Sequence, residues 1–356
     1  MSGQPSNQPR PRRTLGRALL GVVSLGLAVT LLVVVLPRVT GAGWAEIWAE
    51  LRRLTPGQVA LLTGLWFLGV VTFSWVLTGA LPGLTHGQAV TMNLAGSAVS
   101  NVVPFGGALG VAVSYAMARS FGFRRSSFGL FVAVTGVFNV VAKLGLPLLG
   151  LLGLLASGRL PSRRLALAAA LGVAILAVLT MAVVGTLASD HIAHRVTRGI
   201  DVVGGFVLRL GRSERTVDSQ HAVFDLRDRS ASLLRHGWPS MTAGLAGFLG
   251  MQALLLWTIL HMLGGMLGPA EVFAAFTLGR LLTAVVVTPG GVGIAETGSA
   301  ALLVALGGDP AVSAAAVLLL SGFTYLIEIP AGAISALVWW RHRSWRRPTD
   351  SVTGLP

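Results

Sequence analysis

Val287-Thr288-Pro289-Gly290-Gly291-Val292-Gly293-Ile294-Ala295-Glu296 lies inside an apolar stretch that runs from 271 to 306. Asn101-Val102-Val103-Pro104-Phe105-Gly106-Gly107 interrupts a second such stretch, 88–118, and its Pro precedes the other by 185 residues. A bilayer core of about 30 Å is crossed by about 20 apolar residues in a helix, so both stretches are too long for one ordinary span. Pro removes a backbone donor and clashes with the preceding turn, and Gly admits conformations outside the helix, so the chain is expected to unwind at both places. A single break of this kind is usually a kink packed through glycine. A matched pair in corresponding positions of two halves points instead to a binding or transport site in a repeat-built membrane protein.

Working outward from these breaks, eight apolar blocks run roughly 16–37, 58–80, 88–118, 127–157, 165–189, 238–263, 271–306 and 311–340. Of 356 residues, 53% are hydrophobic and 11% charged, against about 25% charged in a soluble domain. The fold class expected is all-α: a polytopic integral membrane protein with about six full spans, two re-entrant Pro-Gly-Gly hairpins and an inverted repeat. Residues 1–15 and 343–356 read as polar cytoplasmic tails flanking a transmembrane domain at 16–342. The Arg-rich start of the first block resembles a secretory signal, but the run is long and seven blocks follow it, so an uncleaved helix is the simpler reading. With no Cys, disulfides, thiolate metal sites and cysteine nucleophiles are excluded.

The arginines choose a topology. If all eight blocks cross, cytoplasmic segments hold 11 of the basic residues and external ones 14, the reverse of the usual bias. If blocks three and seven are hairpins, the count becomes 19 inside and 6 outside, with only Lys143 and Arg280 left in the membrane. Halves 58–157 and 238–340 are then inverted relative to each other, and the hairpin tips meet near the midplane with both termini cytoplasmic. The 190–237 loop, with 8 Arg and apolar residues Ala222, Leu226 and Leu233 at helical spacing, reads as an amphipathic helix on the cytoplasmic leaflet.

Ionisable residues inside spans are costly and ask for a partner or a pathway. Four stand out. Lys143, the only lysine, follows Asn139 by one helical turn; Arg280 and Glu296 flank the second break; Glu328 sits in the last block. Two readings remain open at this point. The cations and carboxylates form a buried brace, or the cations hold an anionic headgroup while the carboxylates carry protons or bind the cationic part of a zwitterion. His191 and His194 beside Asp190 have metal-like spacing but read as a solvated loop, and no zincin, Walker or dinucleotide motif is present. No catalytic constellation, metal, cofactor or nucleic-acid partner is expected.

The two motifs, Asn101-x-x-Pro104-x-Gly106-Gly107 and Thr288-Pro289-Gly290-Gly291-Val292-Gly293-x-x-Glu296, resemble the flippase-like transmembrane domain of bacterial lysylphosphatidylglycerol synthases and their integral-membrane relatives over about residues 15–342. In the best-known relatives this domain moves aminoacylated phosphatidylglycerol across the bilayer, and a soluble domain behind it makes that lipid. Ala108 and Leu109 stand where many relatives carry an acidic residue, so the resemblance transfers no acidic contact to the first hairpin. The few residues after the last block leave no room for the transferase domain, so the expected function is translocation without synthesis.

The expectation is therefore a non-enzymatic flippase of a phospholipid or a polyprenyl-phosphate-linked headgroup in the bacterial cell membrane. Its partners would be anionic or zwitterionic membrane lipids and a separately encoded transferase. Asn101, Pro104, Gly106, Gly107, Asn139, Lys143, Arg280, Pro289, Gly290, Gly291, Gly293, Glu296 and Glu328 are the candidate substrate-binding residues. The prolines and glycines would shape the path, Lys143 and Arg280 attract phosphate, and Glu296 and Glu328 gate it. The alternatives are a small-solute or ion transporter built on the same hairpins, and a non-catalytic scaffold that recruits a lipid-modifying transferase.

Overall fold

The computed structural model describes residue 23, residues 25–102, 106–158, 163–188, 219–283 and 292–342, and residue 345. No strand occurs among them. In chain order the helices are α1 (Leu25–Thr40), α2 (Trp44–Arg52), α3 (Pro56–Ala80), α4 (His86–Val102), α5 (Gly107–Ser120), α6 (Arg125–Ser157), α7 (Arg163–Ala188), α8 (Ser219–Met262), α9 (Pro269–Leu282), α10 (Ile294–Ala305) and α11 (Pro310–Arg341). Pro opens α3, α9 and α11 at a first-turn position, where its missing donor costs nothing. Thr55 and Asp309 cap α3 and α11 by accepting from the N–H groups of Gln58 and Val312.

Among the described residues α3, α6, the Gly237–Met262 part of α8, and α11 are long and apolar enough to cross a membrane. The α1–α2 pair, bent by 94°, passes the same test only as a unit. Outward faces carry exposed Phe67, Leu149, Leu171 and Ile334, the surface expected where lipid is the solvent. The sequence reading had no helix at 44–52; α2 is nine residues with Trp44 and Trp48 exposed, too short to stand out from the loop around it. Where an amphipathic helix was expected over 190–237, residues from Ser219 onward belong to one continuous helix, α8, that runs on into the sixth apolar block. The rest of that loop, the chain start and nearly all of the C-terminal tail lie outside the described residues.

At each break the two flanking helices pack antiparallel. Gly96 faces Ser114 and Ser100 faces Gly110, so α5 runs back antiparallel along α4. Gly279 against Ser299 and Leu282 against Gly298 set the same direction for α9 and α10. The arms are 17, 14, 14 and 12 residues long. At about 1.5 Å per residue none spans about 30 Å of hydrocarbon.

The two halves make the same set of pairings under exchange. The helices before the hairpins, α3 and α8, pack on each other. The first arm of each hairpin packs on the long helix of the other half, α4 on α11 and α9 on α6. Small residues permit these approaches: Gly79 and Gly237 stand backbone to backbone between α3 and α8, where an added Cβ on either would run into the other's carbonyl. Gly332 of α11 lies against Leu94 and Ala98, and Gly150 of α6 against Ala274 and Thr277. The buried core is therefore shared between the halves, with Leu255, Leu256 and Ile259 of α8 packed among residues of α3, α9 and α11.

Candidate functional site

Each antiparallel helix pair bounds a cavity whose wall mixes apolar and polar side chains. The second cavity, about 50 Å³, is lined by Gln252 of α8, Arg280 and Thr283 at the end of α9, Glu296 and Ser299 of α10, and Ser321, Thr324 and Tyr325 of α11. The first, about 230 Å³, is lined by Asn93, Gly96, Ser97, Ser100 and Asn101 of α4, Gly107, Gly110 and Ser114 of α5, and by Leu77 and Phe131. A larger groove of about 450 Å³ between α8 and α9 has apolar walls and no charged residue.

Glu296 sits in the first turn of α10 and is 2% exposed. Its Oε2 accepts from the Gly293 N–H, and its Oε1 accepts from the Ser321 hydroxyl at 2.7 Å. The carboxylate thus caps a half-helix whose free N–H groups favour negative charge. Gly293 has φ +90°, and a Cβ there would collide with Leu31 and the Ala28 carbonyl of α1. Both the turn and the close passage of α1 require glycine at this position.

Glu328 follows a π-helical turn, Gly322–Leu326, that interrupts α11. Such single turns re-aim side chains and recur at functional sites. Its Oε2 accepts from Asn101 Nδ2 at 3.1 Å, and Ser97 also donates to its carboxylate. The same Asn101 amide donates to the Tyr325 carbonyl at 3.3 Å. Asn101 lines the first cavity and Tyr325 the second, so this contact links the walls of the two.

Of the two readings, the brace of direct ion pairs is not seen among the described residues, where the sole ion pair is Arg53–Glu50. Arg280 lies in electrostatic range of Glu328 and Tyr325, and Lys143 in range of Arg280. Neither cation has an ion pair or a side-chain hydrogen bond among these residues. Asn139 is exposed on α6 and lines neither cavity, and Lys143 is half-buried on the same helix. Gly106 is buried at the start of α5, and Gly107 lines the first cavity. Pro104, Pro289, Gly290 and Gly291 lie outside the described residues.

The structure therefore brings together Arg280, Glu296, Glu328 and Asn101, with Lys143 flanking. Sequence reasoning missed Ser321, Tyr325 and the hydroxyl and amide lining of the first cavity. For that lining a signal existed: Asn93, Ser97, Ser100 and Asn101 recur at helical spacing within an apolar block.

Among curated proteins no sequence matches the chain. The family described as the lysylphosphatidylglycerol synthase TM region matches residues 22–332, which include every helix from α1 to α10 and the cavity-lining part of α11. Apolar helices of spanning length, two antiparallel hairpins and this match agree: the chain is a membrane protein that belongs to the lysylphosphatidylglycerol synthase transmembrane-region family.

Proposed function

We propose that the protein is a translocase that moves the phosphate-bearing headgroup of a phospholipid or polyprenyl phosphate between leaflets while the hydrocarbon tails stay in lipid. One observation carries the reading. Arg280 faces a buried polar cavity with no ion pair or side-chain hydrogen bond among the described residues, while the carboxylates beside it are held by Gly293 and Ser321 or by Asn101 and Ser97. An unpaired guanidinium at that depth is costly and is relieved by an anion, for which its fork geometry is suited. Lys143 adds a second positive charge in range of the first.

In this reading the chain sits in the cell membrane with both termini cytoplasmic and six full crossings. The hairpins enter from opposite faces, and the chain makes and breaks no covalent bond. Any transferase that modifies the lipid is a separate partner.

Arg280→Gln tests the substrate assignment. In reconstituted vesicles, headgroup translocation should slow about 10- to 100-fold, the scale of a lost charge-assisted hydrogen bond, with the unfolding temperature little changed. Unchanged translocation would sink the assignment.

The absence of native cysteine tests the topology. Single Cys replacements of Ser126, Ser162 and Ser219 are treated in intact cells with a membrane-impermeant thiol reagent. Labelling at 162 alone supports the re-entrant hairpins. Labelling at 126 and 219 but not 162 would restore eight full crossings and overturn the inverted geometry.

A further inference from the structure

The first cavity differs from the second in having no charged residue in its wall, and it is several times larger. Its polar atoms are hydroxyls and amides. Asn93, Ser100 and Ser114 are partly exposed, and no hydrogen bond from their side chains is made among the described residues, so their polar atoms can meet a ligand or water in the cavity. At the same place α5 begins without an acidic residue in its first turn and without a side-chain cap, so its first backbone N–H groups remain available as donors. Gly96, Gly107 and Gly110 leave the floor without side chains. About 230 Å³ holds several waters, or a small polyhydroxylated group in their place.

Asn101, which lines this space, donates to Glu328 and to the carbonyl of Tyr325, and Tyr325 lines the cavity that holds Arg280. Building on the phosphate reading above, we infer that the two cavities form one bipartite headgroup site. The Arg280 side takes the phosphate, and the first cavity takes an uncharged, hydroxyl-rich group esterified to it, such as a glycerol, an inositol or a sugar. Hydroxyls both donate and accept, which matches a wall of Ser and Asn. An ammonium group matches it poorly, because no carboxylate lines the cavity and the nearest, Glu328, is held by Asn101 and Ser97. The site thus favours a phosphate polyol over an aminoacylated lipid of the kind in the family's name.

Equilibrium binding tests this without requiring transport. The full chain in detergent is titrated, with native mass spectrometry as readout, against three lipids with identical tails: phosphatidylglycerol, its lysyl ester, and phosphatidylcholine. The expected result is tightest binding of phosphatidylglycerol. The double variant Asn93→Leu, Ser100→Ala should weaken it about tenfold, the scale of a few lost neutral hydrogen bonds, and leave phosphatidylcholine unaffected. Arg280→Gln should weaken all three. Equal binding of all three, with Arg280→Gln still lowering each, overturns the polyol inference and leaves the phosphate site standing. Tighter binding of the lysyl ester overturns the inference in favour of a cationic headgroup. Insensitivity of all three to Arg280→Gln overturns the phosphate reading itself. Free glycerol phosphate is added as a competitor; displacement of the lipid at equal concentration would overturn a lipid-linked ligand in favour of a soluble one. Should the double variant unfold, Ser114→Ala, at a position half-exposed to the cavity, replaces it in the same titration.

Discussion

The two hairpins share one packing plan and differ in chemistry. In both, a glycine of the first arm meets a serine of the second, Gly96 with Ser114 and Gly279 with Ser299, and the first arm rests on a glycine of the opposite half's long helix. Yet the second hairpin ends α9 with Arg280 and starts α10 with the capping Glu296, whereas the first has Asn101 and an uncapped α5. Arg near a helix C-terminus and Glu near an N-terminus also complement the half-helix dipoles, so the second break is electrostatically closed upon itself apart from the guanidinium. The first is left with donors unspent. Geometry that lets two backbones approach is constrained by volume, and one substitution ruins it. The polar lining is not bound by that volume constraint, and it is there that the two breaks differ.

Three substitutions sharpen or break that contrast, read as thermal unfolding of the purified protein in detergent. The largest effect is expected from Gly293→Val. A β-branched residue at φ +90° and pressed on Leu31 should cost about 3 kcal/mol or more. A loss below about 1 kcal/mol would mean that α1 does not hold that turn closed. Next, Glu296→Ala removes the cap of α10 and leaves the Ser321 hydroxyl without its acceptor, an expected loss of about 2 kcal/mol. A neutral result would place the carboxylate's importance in transport alone. The smallest effect belongs to Gly107→Ala in the first hairpin. That residue has open space around it and begins a helix, so stability should rise by up to about 0.5 kcal/mol. A large loss there would show the first hairpin to be as tightly built as the second.

Much of this architecture was written in the sequence. Each of the eight apolar blocks overlaps a described helix or helix pair because lipid demands hydrophobic length, and the Pro with paired Gly falls between the two helices of each broken block. The spacing Gly293-x-x-Glu296 is that of a capping box and announces a helix start. Asn101 meeting Glu328 was not legible. The two lie 227 residues apart, and nothing local to either selects the partner. Lys143 and Asn139 were grouped with the site because they share a helix face, yet the way α6 packs leaves Asn139 exposed.

The exchange of partners between halves also bears on how the protein is made. The first hairpin is seated only when Gly332 reaches Leu94 and Ala98, and those residues leave the ribosome more than two hundred positions apart. At elongation rates of about 5–20 residues per second, α4 waits on the order of tens of seconds for α11 to reach it. During that interval a segment too short to cross the bilayer, with amides and hydroxyls along one side, has neither lipid nor its final neighbour to suit it. Biogenesis is therefore expected to be sensitive to anything that leaves the nascent first half uncovered. Truncation ahead of α11 should strand the whole N-terminal half as a substrate for membrane proteases.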